Sequence, residues 1–180
     1  MTFDVGGRFL ERSRYYLGVE YPAKIRSAVL ALPADRLWWR ANPESNSAGN
    51  LVLHLTGNVR QWVVSGVGGA PDVRERSAEF AADGGADAVA LLEHLEKTLS
   101  EVDAVLARTS SASLGDMRLI QGRQTTVFAA IYHVVEHFAG HTGQIILLAK
   151  MHAPGAVRFY DDAGGLARPT FLGDGRGDVE

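Results

Sequence analysis

Apolar residues recur along this chain at the three- and four-residue spacings of helices. Between Arg8 and Leu32, the residues Phe9, Tyr16, Val19, Ile25, Val29 and Leu32 gather on one side of a helix, interrupted by Gly18 and by Pro22, where a kink or restart is predicted. Pro33 and the segment from Trp38 to Pro43 stop it, and Asn46 or Ser47 then offers a side-chain oxygen to cap a second helix over residues 48–64. Gly66, Gly68, Gly69 and Pro71 end that helix, and residues 72–85 read as a connecting loop, polar and irregular apart from Phe80. Val89, Leu92, Leu95, Leu99, Val102 and Leu106 mark the clearest amphipathic helix, over residues 87–108. After a short extended segment, residues 114–123, a fourth helix over residues 125–151 is apolar on most of its circumference and is expected to be the most buried. No internal repeat appears, and no alternation worth assigning to a strand. The predicted fold is all-α: an up-down-up-down four-helix bundle over residues 1–152, its handedness left open by the long second connection. Residues 153–180, rich in Gly and Pro, follow as a tail anchored by Phe159, Tyr160 and Phe171 over the bundle or a partner subunit.

Composition narrows the function. At 180 residues, 46% hydrophobic and 22% charged, the chain can bury a full core as one domain. Its net charge is −3 and its arginines are scattered, which leaves no footprint for nucleic acid. The absence of cysteine excludes disulfides, thiolate ligands and a cysteine nucleophile, so any metal must be held by nitrogen and oxygen. Asp4, Arg8, Glu11, Arg12 and Arg14 exclude the apolar core of a signal peptide, and no run approaches the roughly 18 apolar residues of a membrane span. We therefore expect a cytoplasmic protein with no membrane partner.

Polar residues occupy places where core is expected. The inward stripe of the second helix reads Leu51, His54, Leu55, Asn58, Trp62, and that of the fourth holds His137 and His141, one turn apart on one face. Two imidazoles so placed can chelate one ion. The six histidines of the chain include two pairs four residues apart, His133 with His137 and His137 with His141. The alternative reading makes His54 a core histidine bonded to a carbonyl and the others a polar ladder. His133-Val-Val-Glu136-His137 also fits H-x-x-E-H, the inverted zinc-protease motif, but the acids downstream lie in a Gly-rich tail poorly suited to rigid ligation. His94 and His152 read as isolated and solvated, and Arg176-Gly177-Asp178 as an uninformative triplet.

Asn50-Leu-Val-Leu-His54-Leu-Thr-Gly57-Asn58-Val-Arg-Gln61-Trp62, together with His133-Val-Val-Glu-His137-Phe-Ala-Gly-His141-Thr-Gly143-Gln144-Ile145 and the stretch Arg74-Glu-Arg76-Ser-Ala-Glu79-Phe80, resembles the DinB-like superfamily across nearly the whole chain. The resemblance implies a four-helix bundle, commonly dimeric, with a divalent metal on His54, His137 and His141 and open positions for water. Relatives include bacillithiol- or mycothiol-using transferases and a maleylpyruvate isomerase. Histidine nitrogen suits zinc, nickel, iron and copper alike, with zinc and nickel the first candidates.

Three readings follow. The first is a metal-dependent transferase or hydrolase acting on a small electrophile, with a low-molecular-weight thiol as cosubstrate. In it Asn58 and Gln144 orient a ligand histidine or bind substrate, and His133 and Glu136 are the candidate catalytic residues, Glu136 the weaker because it lies off the inward stripe. The second is a non-catalytic metal-binding or stress-associated bundle. The third is an interaction bundle with a polar core and no metal.

Overall fold

The computed structural model describes residues 3–162, 164–165 and 167–171, so the Arg176-Gly177-Asp178 triplet lies outside the described residues. The first rod is α1 (Val5–Tyr15), a π-helical turn (Tyr16–Glu20) and α2 (Tyr21–Ala31) in continuous succession. Pro22 has no amide proton for the carbonyl four residues back, and next to it the Tyr21 amide reaches five residues back to Tyr16. The interruption therefore widens one turn instead of breaking the helix.

The second rod is α3 (Ala48–Val59), continued by a π-helical stretch (Arg60–Val67). Its cap is Ser47, whose hydroxyl accepts from the Asn50 amide while the Asn50 side chain accepts from that of Ser47. Then come α4 (Arg76–Ala81), α5 (Ala88–Arg108, capped by Asp87) and α6 (Val127–His152, capped by Thr126). Residues 72–85 are thus not all loop, since α4 lies within them. The described residues also hold strands where none was expected. Strands β1 (Met117–Ile120) and β2 (Arg123–Thr126) form an antiparallel hairpin, and its turn places both Gln121 and Gly122 at positive φ, 53° and 71°.

Cross-helix contacts fix the helix directions. Arg14 and Arg26 pair with Asp103 and Glu96, so the first rod runs antiparallel to α5. Phe9 meets Phe128 and Tyr21 meets Phe138, so it runs parallel to α6. His54 meets His137 and Trp62 meets His133, so α3 is antiparallel to α6. The all-α bundle stands, but its order is up-down-down-up, with α3 and α5 parallel. The connection over residues 68–87 is long enough to return along the bundle, which a short antiparallel turn would not do.

The core joins Ile25, Val29, Leu51, Leu55, Leu95, Leu106, Ile131 and Phe138, all at most 2% exposed. α3 is the most deeply buried helix, whereas the more apolar α6 leaves Phe128, Tyr132, Leu147 and Met151 exposed. Beyond α6, Val157 and Phe159 are buried, β3 (Tyr160–Asp161) pairs briefly with β4 (Arg168–Pro169), and Lys24 Nζ of α2 lies 4.5 Å from the centroid of the Phe171 ring. No helix of the described residues is long and apolar enough to cross a membrane.

Gly49, in the first turn of α3, admits the Trp38 ring, whose atoms lie 2.7 Å from where a β-carbon would sit. Alanine there gains about 1 kcal/mol of helix propensity. It must also displace an indole anchored by its hydrogen bond to the Ala86 carbonyl, 3.0 Å away. Overpacking of this kind costs about 1–3 kcal/mol, so we predict a net loss for Gly49→Ala, read as a lower melting temperature.

Candidate metal centre

His54 projects from the middle of α3 toward α6, where His137 and His141 occupy consecutive turns. One ring nitrogen of each lies within 4.8 Å of those of the other two. The Nε2 atoms of His54 and His137 are 2.9 Å apart, and the rings of His137 and His141 cross nearly at right angles with centroids 4.3 Å apart. Among the described residues no fourth histidine or acid joins the set.

Two of the rings are held from behind. His54 Nδ1 lies 2.9 Å from Glu79 Oε2, and His141 Nδ1 lies 2.7 Å from Gln144 Oε1. Glutamate and amide oxygens accept, so each Nδ1 carries the proton and each Nε2 keeps its lone pair for the centre. Arg74 Nη2 also approaches His54 Nδ1, at 3.1 Å. Because that nitrogen's proton is directed to Glu79, we read the approach as a close contact imposed by the Arg74–Glu79 fork, not as a hydrogen bond.

Glu79 is the residue that sequence reasoning missed. Arg74 grips its carboxylate from two nitrogens, Nε to Oε1 at 2.7 Å and Nη2 to Oε2 at 2.8 Å. Burial by itself would raise the Glu79 pKa, but the hydrogen bonds from Arg74 and His54 outweigh it and hold the carboxyl below its usual range. The backbone around it is pinned as well: Asn50 Nδ2 donates to the carbonyls of Glu79 and Ala82, and Arg40 donates to those of Phe80 and Ala82. Gly57 makes room, since a β-carbon there would overlap Glu79 Oε1. Arg74 continues the chain to Gln61 Oε1, which also accepts from Gln121 at the tip of the β1–β2 hairpin. The signal in the sequence was Arg74 five residues before Glu79, with Phe80 beside it. Phe80 caps His54, ring to ring at 4.6 Å.

Other singled-out residues sit as follows. His133 packs on Trp62 with centroids 4.4 Å apart and lies one turn from His137. Glu136 is exposed, and its charge reaches His133. Asn58 is buried with its Oδ1 unpartnered. His54 bonds a carboxylate and not a carbonyl, His94 is exposed, and His152 packs on Trp39 rather than standing in solvent.

Burial first, and then the neighbouring charges of His141, His54, His133 and Arg74, pull the His137 pKa down to about 3. His133 and His141 are lowered too, burial leading in each. In the unfolded chain a histidine titrates near 6.5. Below that pH the unfolded metal-free chain binds protons that the folded one refuses, so stability is complete above about 6.5 and is lost progressively toward pH 3. Thermal melts of metal-stripped protein between pH 7.5 and 5 should show this loss, with a shallower slope in His137→Ala.

The fold is similar to that of a solved structure, a crystal structure of a DinB-like protein from Bacillus cereus ATCC 10987. It superposes with a TM-score of 0.57 at 17% identity, covering 76% of this chain and 91% of that one. No protein of curated function matches the chain significantly. A family model described as "protein of unknown function (DUF1572)" matches residues 4–158. The chain therefore belongs to the DUF1572 family, a DinB-like family.

Proposed function

We propose that His54, His137 and His141 bind one divalent transition metal, zinc or nickel, and that the loaded protein is a metal-dependent enzyme of thiol-transferase or hydrolase type acting on a small electrophile. The observation that carries this is the convergence of one ring nitrogen from each of the three histidines within 4.8 Å, with Glu79 and Gln144 bonded to the Nδ1 atoms of His54 and His141. Three protein donors without a fourth leave coordination positions free, as catalytic sites do and structural ones do not. A divalent ion bound there supplies Lewis acidity, bringing the pKa of a thiol or water to near neutrality. Glu79 steadies the positive charge that His54 gains on ligation, and Arg74 keeps Glu79 ionised. His133, whose pKa burial lowers and whose ring packs against that of His137, is the candidate to take a proton beside the centre.

The aromatic rings packed about the centre favour a second reading, a bundle that only stores or senses the ion. Phe80 covers His54, and Trp62 lies against His133. Single-turnover assays of zinc- and nickel-loaded protein with a low-molecular-weight thiol and an activated alkyl or acyl electrophile separate the two. Turnover lost on chelation and restored by the metal supports the enzyme, and tight metal binding without turnover supports storage.

A homodimer is part of the same proposal, through the face of α6 that carries Phe128 and Tyr132, 46% and 55% exposed. Sedimentation equilibrium tests it: a mass twice that of the chain, falling to one in Tyr132→Glu, is expected, and a monomer in the parent contradicts it.

A further inference from the structure

A cavity of about 350 Å³ lies between α3, the segment before α4, and α5. Leu53, Thr56, Gly57, Arg60, Ala78 and His94 contribute to its walls, and it touches Arg74 and Glu79 but none of the three histidines of the metal centre. Its volume is within the range of small-molecule sites. Of the polar side chains that line it, Glu75 and His94 are exposed and take no partner among the described residues, while the others are engaged. The Thr56 hydroxyl donates to the Val52 carbonyl, and Asp72 accepts from Gln61 and from the Arg74 amide. Arg74 and Glu79 neutralise each other, and Arg60 lies 3.9 Å from Glu101. Away from the exposed Glu75 and His94 a charged guest would therefore meet counter-ions already engaged, whereas an uncharged one meets the apolar surface of Leu53, Gly57 and Ala78.

We propose that this cavity is a binding site for a small, uncharged, largely apolar molecule, and that its occupation is coupled to the metal centre through Glu79. The coupling rests on the metal reading above; the site itself does not. The same carboxylate that holds His54 Nδ1 at 2.9 Å forms part of the cavity wall. An apolar guest excludes water from that side of the Arg74–Glu79 pair, which strengthens the hydrogen bond to His54 and the donor power of its Nε2. Guest and metal then tighten each other's binding by the same factor.

Indole is a suitable probe, titrated calorimetrically into tag-free protein in metal-free and zinc-loaded forms. Saturable binding is expected in both, about fivefold tighter with zinc, at the low end of such couplings. Ala78→Trp fills the cavity from an exposed position of α4 and should abolish binding without lowering the melting temperature, whereas Leu147→Ser, at a 60% exposed residue of α6, should leave it intact. Absence of saturable binding, or binding unaffected by Ala78→Trp, overturns the site. Equal affinity in the two forms overturns the coupling. If the protein takes up no zinc, the coupling falls with the metal reading, while the metal-free titration still decides the cavity.

Discussion

In His137→Ala the stabilisation by zinc or nickel disappears. His137 is the ligand nearest both others, its Nε2 2.9 Å from that of His54 and its ring 4.3 Å from that of His141. An ion that binds only the folded chain stabilises it by about 4 kcal/mol at a free concentration about 1,000 times its Kd. For a domain of this size each kcal/mol moves the melting temperature by about 2–4 °C, so the parent should gain roughly 8–16 °C. The variant should gain none. Its metal-free form need not melt earlier than the parent's, because removing a desolvated imidazole among like neighbours offsets part of the lost packing. A metal-dependent gain that persists in the variant would remove His137 from the ligand set.

The second large effect comes from a residue that touches no ion. Gly57→Ala places a methyl group where Glu79 Oε1 lies, so the carboxylate must leave His54 or α4 must shift. Loss of a carboxylate partner to a ligand histidine lowers metal affinity by about 10- to 100-fold. Competition with a chromogenic chelator should show that loss in Gly57→Ala and in Glu79→Gln alike. Gly18→Ala, where a β-carbon meets nothing within 4 Å, should show none. Unchanged affinity in Gly57→Ala, with the melting temperature preserved, would mean that Glu79 does not support the centre.

The contrast between His137 and Glu79 shows what could be read from the chain. Apolar spacing is a local property, and the capping oxygens of Ser47, Asp87 and Thr126 stand where those runs begin, so the four rods are legible. The histidines stand out because they break an apolar stripe. Glu79 breaks nothing: it lies in a polar stretch, and only its pairing with Arg74 beside it and with His54 from α3 permits its burial. Helix direction is equally hidden, because periodicity carries no sign and only the reach of residues 68–87 distinguishes a return from a turn. The β1–β2 hairpin escapes for a third reason. Met117 and Leu119 point to solvent while Ile120 packs beside Gly66, so no clean alternation marks it.

The most direct test of the centre is elemental analysis of the protein purified without a histidine tag, with zinc and nickel each offered to the stripped chain. About one equivalent of a transition metal per chain, bound competitively by the two ions, is the expected result. A chain that emerges without metal, and that neither zinc nor nickel stabilises, would leave a hydrogen-bonded histidine cluster and contradict the metal centre.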